Sequence, residues 1–530
     1  MLSEDLLLHI FHHFLCISQK AWPTLIQVCR RWRSIVFTSP LGLNLRLYCA
    51  YGTPVLKTLD CWPALPLVVN YGGSPALDPP APEDEENIMA ALQQSGRVIS
   101  ISLTVTESLL EDLSTISEPF SELEELVLLS RDNLHLILPS AFRWGPRLLI
   151  LQSTRIAFPS LPQALSLCQD LVYLQLHEIP STGYFSPEAF ANALSGKNQL
   201  EKISLHFLSL RTRQHYSLLF PANPGHRIIL PALTRLKYRG TSKYLDNFVA
   251  RIDAPRLGDI DITFFSQPTV DALQLGRFIE RIEVQTSLSQ ADVETSAHSV
   301  SICFSQPGGS TKVKVQISCE QLDWQLSSIA QICDQFSAFL FRINDLGIDS
   351  IQSPSGNDNM DDEQWIEIIC SFGRATDFRV AGVHVTDILC ALRSVDRVLI
   401  ADTVVLPSLL SLRLQEPMPI VGPLWDAAES FISSRRLWGC PVELHVPYFL
   451  CHRCKSGFSK QQALRHHLED KHMLQKVCPL CGVFKWSQGR SYQFQAHLAR
   501  KHPEVAHTNP LTLNPFLESF PISSSQSQEK

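Results

Sequence analysis

A pattern of the form L-x-x-L-x-L returns along the middle of the chain and restricts its fold more than any other feature. The copies are Val98/Ile101/Leu103, Leu123/Leu126/Leu128, Leu171/Leu174/Leu176, Leu200/Ile203/Leu205, Leu233/Leu236/Tyr238 and Leu257/Ile260/Ile262, with a shortened one at Leu148/Leu151. Successive copies start about 25 residues apart, a period that gives one short strand and a helical or irregular return per copy. Such a unit cannot bury its own leucines and must stack on its neighbours, so the expected product is a curved solenoid with a parallel sheet on its concave side. The pattern blurs between residues 265 and 370 and returns at Ala375/Phe378/Val380, Val395/Val398/Ile400 and Leu409/Leu412/Leu414. One array over 97–435 with divergent central repeats is therefore expected. The competing reading is an ordinary buried-sheet domain whose strands share this spacing.

The period is that of leucine-rich repeats, and a chain of 530 residues, 45% apolar and 18% charged, is long enough for such an array plus smaller units at either end. Two polar stretches, 78–87 (DPPAPEDEEN) and 350–364 (SIQSPSGNDNMDDEQ), read as exposed loops because of their proline, glycine and acidic content. The first lies in a connecting segment assigned to 46–96. Fifteen cysteines, an odd number and mostly scattered singly, suit a reducing compartment and an intracellular protein, nuclear or cytoplasmic. Neither a secretory leader nor an apolar run of membrane-spanning length is evident, so no membrane partner is expected.

At the front, SEDLLLHIFHHFL predicts a helix capped by Ser3 or Asp5, with Leu6, Leu7, Ile10, Phe11, Phe14 and Leu15 on one broad face and His9, His12 and His13 opposite. A second helix over TLIQVCRRWRSIVF aligns Leu25, Val28, Cys29, Trp32, Ile35 and Val36, with Arg30, Arg31 and Arg33 turned away. About forty residues cannot form an independent core, so these helices need the next domain or another protein to pack against.

LSEDLLLHIFHHFL followed by LIQVCRRWRSIVFTSP resembles the F-box over residues 1–45, and LGLNLRLYCAYGTPVLKTLDCWPALPLVV continues in a way similar to a group of fungal F-box proteins. The usual proline after the first leucine is Ser3 here. DLVYLQLHEIPSTGYFSPEAF, LPALTRLKYRG, YLDNFVARIDAPRL and DWQLSSIAQIC extend the resemblance to about residue 435. The resemblance implies docking on a Skp-type adaptor of a cullin ubiquitin ligase through Leu2, Leu6, Leu7, Ile10, Phe11, Val28 and Trp32. It also implies that the repeat domain holds a protein substrate, whose identity no residue pattern reveals.

Near the end, Cys451-x2-Cys454-x12-His467-x4-His472 has the ligand spacing of a two-Cys-two-His zinc finger, with Phe458 and Leu464 at the two core positions of such a ββα unit. A second unit, Cys478-x2-Cys481-x15-His497-x4-His502, carries Phe494 in the leucine place. Two structural zinc ions are expected within 448–503. A cross-brace pairing of the same eight ligands is the alternative. Four-ligand sets leave no open position for activating water, so the metal role is structural.

The net charge of -7 draws the whole molecule to no polyanion, but residues 448–503 hold ten Lys or Arg against two Asp or Glu. Lys460, His466, Arg490 and Gln493 fall at base-reading positions, although alanines at the others predict weak, unspecific nucleic-acid contact. No phosphate-cradling glycine loop or nucleophile motif is found, and Cys168 and Cys390 sit inside apolar repeats as packed thiols. The sequence therefore predicts an α/β protein with F-box helices, a leucine-rich-repeat solenoid and small ββα zinc fingers, followed by a disordered tail at 504–530. The function expected is a non-catalytic substrate-recognition subunit of an SCF-type ligase, and the alternative is a zinc-finger nucleic-acid-binding protein on a repeat scaffold.

Overall fold

Along the repeat strands, as in ELVLL and ILQST, burial changes at every second residue, and this two-residue alternation makes each a strand with one buried side. The computed structural model describes most of residues 2–445, leaving out 18–20, 73–81, 132–135, 209–225, 283–286, 319–321, 351–361, 399–404, 416–422 and a few single positions; beyond 445 it describes 449–450, 457–458, 467, 476–477, 485–486, 496–497 and 500–501. The molecule is mixed α/β and is dominated by one large, mostly parallel sheet.

Three helices come first: α1 (Glu4–Ile17), α2 (Trp22–Val28) and α3 (Arg30–Thr38). The single second helix expected from the sequence is broken at Cys29, whose backbone is extended (φ -160°, ψ 168°) and whose sulfur accepts from the Trp32 amide at 3.5 Å. The sheet then opens with β1 (Leu47–Ala50) and, after α4 (Val55–Cys61), β2 (Leu67–Tyr71). The segment 46–96 is thus part of the sheet as well as a connection, because LYCA alternates as a strand and LVVNY is a short, mostly buried one, neither spelling out the longer repeat. Half of the expected acidic loop is helical: α5 (Pro82–Leu92) gathers Glu83, Asp84 and Glu85 in its first turn, where the helix dipole favours them.

From there strand and return alternate. The strands are β3 (Val98–Thr104), β4 (Glu125–Leu129), β6 (Ile150–Thr154), β8 (Tyr173–Ile179), β9 (Lys202–Phe207), β11 (Arg235–Gly240) and β13 (Asp259–Phe264), each parallel to the one before. The returns carry α6 (Glu107–Leu113), α7 (Leu161–Ser166), α8 (Pro187–Ala193), α9 (Ser242–Val249) and α10 (Leu273–Glu280), with the two-residue pairs β5 (Leu136–Ile137)/β7 (Ile156–Ala157) and β10 (Ile228–Ile229)/β12 (Ile252–Asp253). Register matches repeat to repeat, for example Leu151↔Leu174 and Ile203↔Leu236, so equivalent leucines stack in rows.

The blurred region has a structural cause. Strands β14 (Gln290–Ser296), β15 (Ser299–Ser305) and β16 (Lys312–Ser318) form an antiparallel meander that enters the sheet backwards. The last of them lies beside β13, and the first receives β17 (Asp345–Ser350). Plain alternation, as in KVKVQIS, replaces the longer repeat pattern here. After α11 (Leu322–Gln335) and α12 (Ser337–Leu340), the parallel order resumes through β17, α13 (Asp362–Cys370), β18 (Asp377–Gly382), α14 (Val385–Val398), β19 (Ser411–Gln415), α15 (Pro423–Leu437) and β20 (Glu443–His445). The copy expected at Val395/Val398/Ile400 is corrected: residues 385–398 are helical, and their strong 3.6-residue amphipathicity outweighs the local L-x-x-L-like spacing. Gly382 has φ +88°, and a Cβ there would lie 2.0 Å from the Ser350 carbonyl oxygen, so the β17–β18 crossing needs glycine.

One apolar core runs from Leu7 in α1 to Val442 before β20. Consecutive helices touch one another, as in α7–α8–α9–α10 and α11–α13–α14–α15, forming a layer against the leucine side of the sheet. The other side of the strands carries more polar and more exposed side chains, among them Lys202, Arg235, Lys237 and Arg239.

Candidate functional site

At the N-terminal end a period-four spacing splits the apolar residues of α1 between two faces. Leu7, Phe11 and Leu15 are buried, and the Phe11 ring meets Trp32 edge-on at 4.7 Å. Leu2, Leu6, Ile10 and Phe14 form a second row on the outside, 49%, 46%, 43% and 37% exposed, and Val28 at the end of α2 is exposed as well. Of the residues assigned to adaptor contact, Leu2, Leu6, Ile10 and Val28 stand on the surface and Trp32 is half-buried. Leu7 and Phe11 are corrected to core residues, fully engaged in holding the helix. One broad face was too coarse a reading, because α3 covers only part of it. The break at Cys29 likewise leaves Val28 and Cys29 exposed while Leu25, Ile35 and Val36 stay inside.

The helices are fixed firmly beneath this row. Arg31 Nη2 donates to the Leu2 carbonyl at 2.6 Å, Arg33 Nε to that of Ile26 at 3.1 Å, and Trp22 Nε1 to that of Arg46 at 2.8 Å. Trp22 also meets Trp62 edge-on at 5.0 Å, joining the helices to the first crossover of the sheet. Leu2, Leu6 and Ile10 each leave close to half of their apolar surface in solvent, and exposed apolar side chains gathered in one place are a feature of interaction surfaces. His9, His12 and His13 are exposed on the remaining arc, with His12 Nδ1 3.6 Å from Cys16 Sγ.

At the other end two short antiparallel pairs stand out: β21 (Phe449–Leu450) with β22 (Gly457–Phe458), and β23 (Lys476–Val477) with β24 (Lys485–Trp486). Each brackets one C-x-x-C in the sequence, the first cysteine following directly after the first strand. His467 and His497 are helical and half-buried. Each pair of strands flanks its C-x-x-C where the sequence expectation puts the hairpin of a ββα unit. Cys451, Cys454, His472, Cys478, Cys481 and His502 lie outside the described residues, as do Lys460, His466, Arg490 and Gln493.

The polar side of the sheet holds a cluster that the sequence reading missed. In register across β8, β9 and β11 stand Tyr173↔Lys202↔Arg235 and Gln175↔Ser204↔Lys237, and then His206↔Arg239. The His177 and His206 rings stack at 4.1 Å, nearly parallel. Gln175 Nε2 lies 3.2 Å from His177 Nδ1, and His177 Nε2 3.1 Å from Ser204 Oγ. Burial lowers both imidazoles, His206 to about 4, with His177, Arg239 and Lys237 adding to the effect and Glu178 opposing it. A shallow depression of about 520 Å³, lined by Ile150, Gln152, Tyr173, Glu201 and Lys202, adjoins the cluster. The signal was present at the x positions between the leucines, which become a continuous surface only after the strands are placed in register.

Cys168 is buried, 3.0 Å from Trp144 Nε1, and burial raises its thiol; Cys390 is half-buried. Among the described residues no helix is long and apolar enough to cross a membrane. No protein-family model matches the chain, and no curated protein matches it.

Proposed function

We propose that the chain is a non-catalytic substrate receptor of an SCF-type cullin ubiquitin ligase. Its N-terminal helices, an F-box, dock on a Skp-type adaptor. The repeats form a solenoid whose polar sheet face holds the substrate protein, and the two C-terminal units are zinc fingers that add a second recognition element. The observation that carries this reading is the outer row Leu2, Leu6, Ile10 and Val28 on helices held rigidly from beneath. Support for the solenoid comes from the sequential parallel strand order with returns layered on one side.

Co-expression with a Skp-type adaptor tests it directly. The wild-type chain co-elutes with the adaptor, and Leu6→Asp/Ile10→Asp does not, while it still unfolds in one cooperative transition because the buried row Leu7, Phe11 and Leu15 is intact. A wild-type chain that elutes alone sinks the proposal. A second reading, nucleic-acid binding through the fingers, is favoured by the basic balance of 448–503. Salt-sensitive oligonucleotide binding that disappears in Cys451→Ser would support it.

A further inference from the structure

Cations on the polar sheet face are mostly matched by carboxylates. Arg235 pairs with Asp259 at 2.7 Å, Arg413 with Asp377 at 2.8 Å, and Arg379 with Asp292 at 2.8 Å and Asp345 at 3.1 Å. Within the cluster on β8, β9 and β11, Arg235 follows this rule, and Lys202 and Arg239 depart from it. Lys202 Nζ rests over the Tyr173 ring at 5.7 Å and the Arg239 guanidinium over Phe265 at 5.8 Å. Among the described residues neither cation has a carboxylate at ion-pair distance. Lys237 reaches Asp261 only at 3.9 Å. Aromatic faces thus hold two positive charges in place while leaving their hydrogen-bond donors open. Between them lie the stacked imidazoles, joined by Ser204 into one hydrogen-bonded chain.

We propose that Lys202, Lys237, Arg239, His177 and His206, the two histidines bridged from beneath by the buried Ser204, form the docking surface for an acidic peptide segment of a partner protein, and that docking takes up a proton at the histidine pair. The inference rests on the reading of this sheet face as the substrate-holding surface. Alternate side chains of an extended peptide project to one side, matching the two-residue step from Lys237 to Arg239. An anion set against Arg239 and Lys237 neutralises the charges that oppose a proton on His206. Glu178 already favours that proton, while it pairs with Arg155 on the far side. Protonated imidazoles then donate to the bound anion, so affinity rises as pH falls.

Fluorescence anisotropy with the full chain tests this, using short labelled peptides that alternate Glu with Ser, Gln with Ser, and phosphoserine with Gly, at about 50 mM salt. The two anionic peptides bind and the Gln peptide does not, and their relative affinity tells carboxylate from phosphoryl preference. Lys237→Ala/Arg239→Ala binds about tenfold more weakly. Binding tightens from about pH 7.5 to about pH 5.5, and His206→Gln removes that dependence. Arg239→Glu, a surface change, weakens the Glu peptide more than Arg239→Ala does. Equal binding of the Glu and Gln peptides, or unchanged affinity in the double variant, overturns the proposal, as does a single-stranded oligonucleotide that outcompetes the peptide through Arg239. Adaptor co-elution is run in parallel on the parent chain. Peptide binding without co-elution defeats the ligase reading alone, and co-elution without peptide binding defeats the docking surface alone.

Discussion

Asp246 shows how one side chain can join two repeats. It sits in α9, nearly buried, and its Oδ1 accepts from the Gln274 and Leu275 amides of α10 at 2.7 and 3.0 Å. Burial raises its carboxyl to about 6 from 3.8, with Asp271 adding to the rise and the two amides and Arg277 opposing it. A raised folded-state value means the folded chain holds the proton more tightly than the unfolded one. This contribution to stability is therefore complete below about 3.8 and is lost as pH rises through about 6. Denaturant midpoints measured across that window should fall with rising pH. Asp246→Asn keeps the acceptor oxygen and should flatten the fall, whereas Asp246→Ala should cost about 1 kcal/mol or more at every pH, as loss of a helix cap does. A slope unchanged in Asp246→Asn would show that other carboxylates set it.

Elements were legible in the sequence wherever one period dominated. The strands at Leu123/Leu126/Leu128 and Leu233/Leu236/Tyr238 lie where the pattern placed them, because the same residues set both strand side and repeat boundary. Residues 395–398 misled because a helix with Ile388, Leu389 and Leu392 inside produces local spacings that imitate a repeat. The meander at 290–318 was hidden, since period-two alternation does not state strand direction. The docking cluster was invisible for a related reason: its members come from three strands and share no sequence motif. At the C-terminal units the paired strands flanking each C-x-x-C frame a concrete expectation. Atomic absorption should find two zinc ions per chain, and one in Cys451→Ser. Because each bound ion stabilises such a unit by roughly 10–16 kcal/mol, chelation should unfold the two units while leaving the main transition in place. A full complement of zinc in Cys451→Ser would remove that ligand assignment.

For the molecule as a whole, the decisive fact is that the N-terminal helices share the core of the sheet. Trp22, Phe37 and Trp62 pack together, and the buried row Leu7, Phe11 and Leu15 belongs to the same continuous cluster as the strands. Deleting residues 1–45 should therefore lower the melting temperature and expose apolar surface to dye, because β1 and β2 lose their cover. A truncated chain that melts like the parent would make the helices a separable module. The backwards meander has a further bearing on how the chain is made. As it leaves the ribosome, the strand ending at Phe264 has no following neighbour until Lys312–Ser318 has been synthesised, since residues 290–305 belong farther out. Up to that point the nascent protein presents an open strand edge, with unpaired backbone groups that another strand could take up.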